Sequence, residues 1–485
     1  MLLRAGAVSL ALLLVSRLLG LVRESVQAAA FGATGLGDVS VLMLSLPDWV
    51  AGVLATGGLA YVLLPAWAKQ GNAEVATSQR RVARGLLLAG CTLAGALALL
   101  HPLAVQLLLG GLPPELVPAA GDAMLWAAVG LPLALLAALW STRLQHEGDF
   151  GGLYGANLVV NLAVIGALWL VARQGTPPAP VAVQVLGAGL LAALALRLAW
   201  LHLRQRPFAT VPSQARASAL PRASVWVWAV TAAGLPLALP FVARSLASRD
   251  GPGALAVFNY GWKLAELPLL LAVQLVATLA LGPIARAVSQ AGNSEQAATT
   301  VRRGFAVAWA LACGSAAGLA VAADALSRVL FGWGRMQPEA LAQVAALGRI
   351  AAWGLLPQAL TAIALAVLAT QARLRPAVLG YALGLALLLL LHPESSEALM
   401  HWLNLVFGLV ALIVLAALAD GLHDWLPWRA LLAGLLGLLA VHGALELQGA
   451  PAAPLPQLAA GALAGLLVLV LAWAASPDLR TVLRR

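Results

Sequence analysis

Fourteen stretches of this 485-residue chain are apolar for long enough to cross a bilayer, and very little lies between them. A span takes about 20 apolar residues to bridge a hydrocarbon core of roughly 30 Å. The stretches are 5–30, 36–67, 85–108, 117–142, 152–172, 181–203, 224–247, 253–285, 304–330, 341–370, 374–392, 396–419, 426–447 and 455–475. The connections are too short for a folded domain outside the membrane. Composition agrees, with 62% of residues hydrophobic and 10% charged, whereas an average soluble protein is roughly 25% charged. A soluble globule could not cover so much apolar surface, and a chain seeking this much burial is not disordered. The alternation of a β-barrel is absent, so the expected fold is an all-α polytopic membrane protein. The first stretch has no leader-cleavage site and reads as a retained span. Cys91 and Cys313 sit in apolar runs, and neither they nor the scattered histidines show metal-ligand spacing.

The net charge of +10 is at odds with so apolar a chain, and its distribution explains it. With a cytoplasmic N-terminus, nineteen Lys and Arg residues fall on the cytoplasmic side and five on the other. Positive charge near span ends marks the cytoplasmic face, so both termini are expected there, with an even number of spans. Five basic residues remain inside spans: Arg17, Arg23, Arg197, Lys263 and Arg349.

Part of the sequence recurs. Leu46-Pro47 returns as Leu267-Pro268, Gly71-Asn72 as Gly292-Asn293, Glu74 as Glu295 and Arg80-Arg81 as Arg302-Arg303. Six spans separate the copies, so the orientation is kept and the repeat is parallel. The expected organisation is an N-terminal six-helix lobe over 1–203, a second over 224–420, and two further helices over 426–475. The repeated segments are also irregular. Segment 36–67 holds Pro47, Gly52, Gly57-Gly58 and Pro65, and 253–285 holds Pro268, Gly282 and Pro283. Interrupted spans at matching places in two halves point to a transporter's binding site, although kinks filled by packing have the same signature. The basic stretch 72–84 reads as an amphipathic loop anchored at the cytoplasmic face.

Charges inside spans are expensive, about 2.5–3.5 kcal/mol each on insertion scales. Arg17 lies about 20 Å along a straight helix from Arg4, too deep to snorkel easily, and so points to a polar cavity. Arg23 fits a cavity or an interface equally well. The two are six residues apart, about 120° around a helix, and share a cavity only if the helix bends near Gly20. Arg17 and Glu24 share a face. Lys263 and Glu266 are neighbours three residues apart and could simply neutralise each other. Asp38 suits a partner for an arginine, a site for a coupling cation or proton, or a plain interfacial loop residue. Arg197 and Arg349 read as interfacial. Excess cations in a cavity suit an anion such as a phosphate or diphosphate, gripped by the planar fork of Arg or the point charge of Lys.

Several motifs resemble one known family. Ser16-Arg17-Leu18-Leu19-Gly20-Leu21-Val22-Arg23-Glu24, then Phe31-Gly32-Ala33, Asp38 and Leu46-Pro47-Asp48 are similar to the N-terminal signature of the MurJ (MviN) lipid II flippases. These belong to the multidrug/oligosaccharidyl-lipid/polysaccharide exporter superfamily. Tyr260-Gly261-Trp262-Lys263-Leu264-Ala265-Glu266-Leu267-Pro268 resembles the family's eighth-span motif. The resemblance implies two six-helix lobes around a cationic cavity that opens alternately to each side. It also implies a groove for a polyprenyl tail at the last two spans. The residues matching Arg17, Arg23, Asp38 and Lys263 matter for function in that family. This chain departs from the pattern: Glu24 stands where the family has Asp, and Lys263 where it has Arg. Ala51-Gly52 and Thr56 stand where the second span carries an arginine and a glutamate.

The reading that follows is a flippase carrying lipid II from the inner to the outer leaflet of the bacterial cytoplasmic membrane. Arg17, Arg23 and Lys263 bind the diphosphate, while Glu24, Asp38 and Glu266 organise those cations or a coupling ion. The expected partners are the lipid-linked anion, the bilayer and a coupling cation or proton. No nucleic acid, metal or cofactor is expected, and the protein is expected to be a monomer. A flippase for another polyprenyl-diphosphate-linked oligosaccharide and a cation-coupled multidrug exporter are the alternatives. A membrane enzyme would need paired carboxylates or a nucleophile on a loop, and the sequence offers neither.

Overall fold

The computed structural model describes residues 2–54, 58–208, 221–274, 276–277, 280–284, 287, 295–371, 373–391 and 393–482. Every regular element among them is helical, as a bilayer requires of segments that must satisfy their own backbone hydrogen bonds. The longer helices are α1 (Leu2–Phe31), α2 (Gly35–Val53), α3 (Leu59–Trp67), α4 (Asn72–Leu99), α5 (His101–Leu108), α6 (Val117–His146), α7 (Phe150–Arg173), α8 (Ala179–Gln205), α9 (Ala223–Ala247) and α10 (Ala254–Pro268). They continue as α11 (Glu295–Phe331), α12 (Pro338–Trp353), α13 (Leu355–Thr370), α14 (Arg375–Leu390), α15 (Ser396–Ala416), α16 (Trp428–Gln448) and α17 (Pro454–Ala475).

Ten helices among the described residues are long and apolar enough to cross a membrane; α12 and α13, bent by 41°, make an eleventh if taken as one span. The expected fourteen is not reached by that measure. The three remaining segments correspond to α1, α10 and α14. The first has side chains outside the described set, and the other two are short, at 15 and 16 residues. Segment 253–285 is shortened at Pro268, beyond which the chain winds as a π-helix over Leu269–Gln274. The matching segment 36–67 divides into α2 and α3, with π-type winding at Leu54 and Gly58. Irregular winding thus follows the Leu-Pro pair in both copies. Gly292-Asn293 and Thr56 lie outside the described residues.

The basic stretch 72–84 is not a loop. It forms the first turns of α4, where the Glu74 carboxylate accepts a hydrogen bond from Gly71 N at 3.1 Å. That bond satisfies one free donor at the helix start, and the acidic group suits the positive end of the dipole. Glu295 likewise sits in the first turn of α11, which carries Arg302-Arg303 as continuous helix.

The chain forms two compact units: Met1–Ala256 with Trp333–Met336, and Val257–Gly332 with Gln337–Arg485. In the first unit α6 is central, packing against α2, α4 and α8, while α7 packs against α1 and α8. The buried face of α6 is rich in alanine, including Ala120, Ala127, Ala137 and Ala138, and small residues let membrane helices approach closely. One core of this unit gathers Leu59, Leu63, Trp67, Val75, Val82 and Leu139. Asp149 caps α7 through Gly152 N at 2.9 Å and pairs twice with Arg204, at 2.9 and 2.8 Å. Burial pushes the Asp149 carboxyl up, but Arg204 and the Gly152 N–H outweigh it and hold the group below the usual carboxylate range. In the second unit α11 is the hub, packing on α12, α13, α16 and α17.

Candidate functional site

α1 runs unbroken through Gly20, so Arg17 and Arg23 keep their separation of about 120°. The structure does not bring them together. Arg23 donates from Nη1 to Asp48 Oδ2 at 2.8 Å and from Nη2 to Glu24 Oε1 at 3.0 Å. Its Nε is buried without an acceptor. Arg17 is exposed and pairs with none of the described residues. The exposed apolar side chains of α1, Val15, Leu18 and Val22, form a stripe about 140° around the helix from Arg17. Arg17 therefore leaves α1 on a different side from the surface suited to lipid tails.

Asp38 is 1% exposed and caps another helix. Its Oδ2 accepts from Gly253 N at 2.7 Å and its Oδ1 from Ala256 N at 2.8 Å. Both donors are at the start of α10, where backbone N–H groups have no helical acceptor and the dipole favours an anion. Gly253 has φ +90°, and a Cβ there would lie 2.3 Å from Ala33 O. Only glycine permits this approach. Asp38 thus anchors the start of the helix that carries Lys263, and no arginine among the described residues is paired with it.

In the second unit Lys263 and Glu266 form an ion pair, Nζ to Oε2 at 2.5 Å. Lys263 is a polar member of a largely apolar cavity of about 480 Å³ bounded by α10, α11 and α17, with Gly314, Gly318, Gly461, Gly465 and Leu466 among its walls. These glycines are the crossing point of α11 and α17: a Cβ at Gly465 would lie 2.7 Å from Gly314 O, and one at Gly461 2.8 Å from Gly318 O. Four-residue spacing of small residues on both partners is the pattern of close membrane helix packing. A second ion pair joins Arg349 Nη1 to Asp324 Oδ2 at 2.6 Å. Gln457 lies 3.4 Å from the same oxygen and donates to Val321 O at 3.0 Å. Arg349 is therefore paired inside the unit and not simply interfacial.

Sequence reasoning missed three participants. Asp48 lay inside the Leu46-Pro47-Asp48 motif without a role, yet it is the main partner of Arg23. Arg197 of α8 read as interfacial, but its Nη2 reaches Asn157 Oδ1 of α7 at 3.3 Å and it lies within the field of Asp48. Asp324 had no sequence signal, because Arg349 is 25 residues away and on another helix. The signal available for Asp48 was its charge next to an interrupting proline in a span.

Known proteins resemble the chain as follows. The model of the family described as lipid II flippase MurJ matches residues 27–452. Among solved structures, a lipid II flippase MurJ in an inward closed conformation is similar at 14% identity and a TM-score of 0.79, covering 99% of this chain and 100% of its own. An inward-facing multidrug resistance MATE family transporter of the MOP superfamily is similar at 13% identity and a TM-score of 0.64, covering 88% of this chain and 96% of its own. A MOP superfamily transporter from Pyrococcus furiosus is similar at 14% identity and a TM-score of 0.54, covering 90% and 96%. No curated protein matches the sequence.

Proposed function

Because this chain belongs to the MurJ lipid II flippase family, on the match over residues 27–452, we propose that it carries lipid II across the bacterial cytoplasmic membrane from the inner to the outer leaflet. Both termini are assigned to the cytoplasm, on the basic residues that surround the spans. The movement is alternating access, with 1–203 and 224–420 as the two lobes. Arg17, Arg23 and Lys263 serve the diphosphate. Glu24 and Glu266 hold two of these cations in place, and Asp38 does its part by fixing the start of α10.

The observation that carries this reading is the cavity at Lys263. It offers a cation beside an apolar recess of about 480 Å³ walled by α11 and α17. A polyprenyl diphosphate has the same division, with charge at one end and hydrocarbon behind it. Ion pairing with Glu266 keeps Lys263 from being a bare charge in hydrocarbon, and a diphosphate oxygen can displace or join that carboxylate. The groups present bind and move an anion-bearing lipid.

The test is complementation of a lipid II flippase depletion strain by the wild-type chain and by Arg17→Ala and Lys263→Ala. Wild type is expected to restore growth and lipid II translocation, and both variants are expected to fail at normal membrane abundance. Full rescue by both variants overturns the assigned roles. One specific observation favours a related cargo: Ala51-Gly52 replaces the family's second-span arginine. Accumulation of a different polyprenyl-diphosphate-linked sugar on depletion would identify that cargo.

A further inference from the structure

One guanidinium group pairs with Asp48, and a second, on α8, is within the field of that carboxylate with few partners of its own. Arg23 spends both Nη atoms on Asp48 and Glu24. Arg197, from α8, lies within the field of the same carboxylate without pairing with it, and among the described residues it makes a long bond to Asn157 Oδ1 at 3.3 Å. The Nε atoms of Arg23 and Arg197 are both shielded from solvent and lack an acceptor among the described residues. A buried donor without an acceptor is costly, and a guanidinium carries five donors and no acceptor. The carboxylates of Asp48 and Glu24 leave these donors unused, and a further oxyanion could take them up. The cluster also sits beside a position of interest on α2. Residues 48 and 52 are four apart and so share a helix face. Position 52 is Gly, and a Cβ there meets only Leu237 Cδ1, at 3.7 Å.

Resting on the reading of this chain as a carrier of a lipid-linked diphosphate, we infer that Arg197 is a further anion-binding residue, supplying from α8 the cation that α2 lacks at position 52. Asp48 holds the Arg197 guanidinium near this face while the site is empty, and phosphate oxygens take up its unused donors when the substrate enters. Asn157 steers the same side chain from α7.

The experiment measures binding of undecaprenyl diphosphate and of inorganic pyrophosphate to the purified full-length protein in nanodiscs. Wild type is compared with Arg197→Gln, Arg197→Lys, the double variant Arg197→Gln/Gly52→Arg, and Arg17→Ala. Charge-assisted hydrogen bonds predict that Arg197→Gln weakens both probes about 10- to 100-fold at an unchanged thermal midpoint. Arg197→Lys retains part of the affinity, and Gly52→Arg restores it in the double variant, which a merely structural role would not do. Unchanged affinity in Arg197→Gln overturns the inference. So does a loss confined to the lipid probe, or a loss that tracks a fallen thermal midpoint and is not rescued. If wild type binds and Arg17→Ala weakens it while Arg197→Gln does not, only this inference fails. If wild type binds neither probe, the carrier reading itself fails.

Discussion

Removing the carboxylate of Asp38 should loosen the start of α10 specifically. The group accepts two backbone N–H bonds, at 2.7 and 2.8 Å, from Gly253 and Ala256, and it is 1% exposed. Hydrogen bonds to a charged group contribute about 1.5–3 kcal/mol each, and a buried donor left unpaired costs about 1–3 kcal/mol. Asp38→Ala strands both donors at a site that is 1% exposed, so the expected local cost is about 3–5 kcal/mol after allowing for relaxation. Asp38→Asn keeps one acceptor oxygen but turns an NH₂ toward the second N–H, which should cost about half as much. The assay is amide hydrogen exchange on a peptide covering 251–258. Opening that costs about 3–5 kcal/mol less raises exchange by roughly 10²- to 10⁴-fold where exchange follows local opening. Gly253→Ala should mimic the effect from the other side, because its Cβ would lie 2.3 Å from Ala33 O. Unchanged protection of Gly253 and Ala256 in Asp38→Ala would refute the capping account. A variant that keeps this protection yet loses transport and its dependence on a coupling ion would return Asp38 to an ion-binding role.

Two further outcomes follow from packing and charge. Gly465→Leu should separate α17 from α11, because even a Cβ would lie 2.7 Å from Gly314 O; overpacking of this kind costs about 1–3 kcal/mol, read as a lowered thermal midpoint in detergent. Gly85→Ala in α4, where a Cβ meets nothing within 4 Å, should be neutral or stabilise by about 0.5–1 kcal/mol, and a larger loss there than at Gly465 would sink the packing argument. Asp149 is held below the usual carboxylate range, so its contribution is present above the unfolded carboxylate pKa and is lost as pH falls through the lower folded value. Asp149→Ala should cost about 1 kcal/mol as a lost helix cap at neutral pH, and this difference from wild type should shrink under strongly acidic conditions in a pH series of unfolding midpoints.

The helical class was legible because the bilayer leaves a chain this apolar few other options, and the end of α10 at Pro268 was legible because proline removes a donor, whereas α2 continues through Pro47 to Val53. The Lys263–Glu266 pair was legible because three residues is one turn. What the sequence withheld was contact across helices. Asp38 finds its partners 215 and 218 residues away, and no local pattern distinguishes a carboxylate that caps a distant helix from one that binds an ion. Arg23 pairs with both its neighbour and Asp48 of α2. The charge run at 72–84 suggested a loop, and the Glu74 cap made it helix. The small-residue spacing Gly314–Gly318 and Gly461–Gly465 was present in the sequence, but in a chain with 47 glycines it does not stand out until two helices are seen to cross there.

The spacing of the acidic residues limits where an anion can bind. Glu24 and Asp48 answer Arg23, Glu266 answers Lys263, and Asp324 answers Arg349. Arg23, Lys263 and Arg349 are therefore each neutralised by a carboxylate at contact distance, as the cost of a bare charge in an apolar medium requires, whereas among the described residues Arg17 and Arg197 form no ion pair. A carrier must both bind and release its cargo, and fully paired cations do this well, because each incoming oxyanion replaces a carboxylate and each outgoing one is replaced by it. The net energy change is then small even though every contact is strong. Arg17 and Arg197 are exceptions to that exchange, and on the proposed reading the surplus attraction is theirs to supply. Their removal should change affinity far more than removal of the paired cations does relative to deletion of pair and partner together.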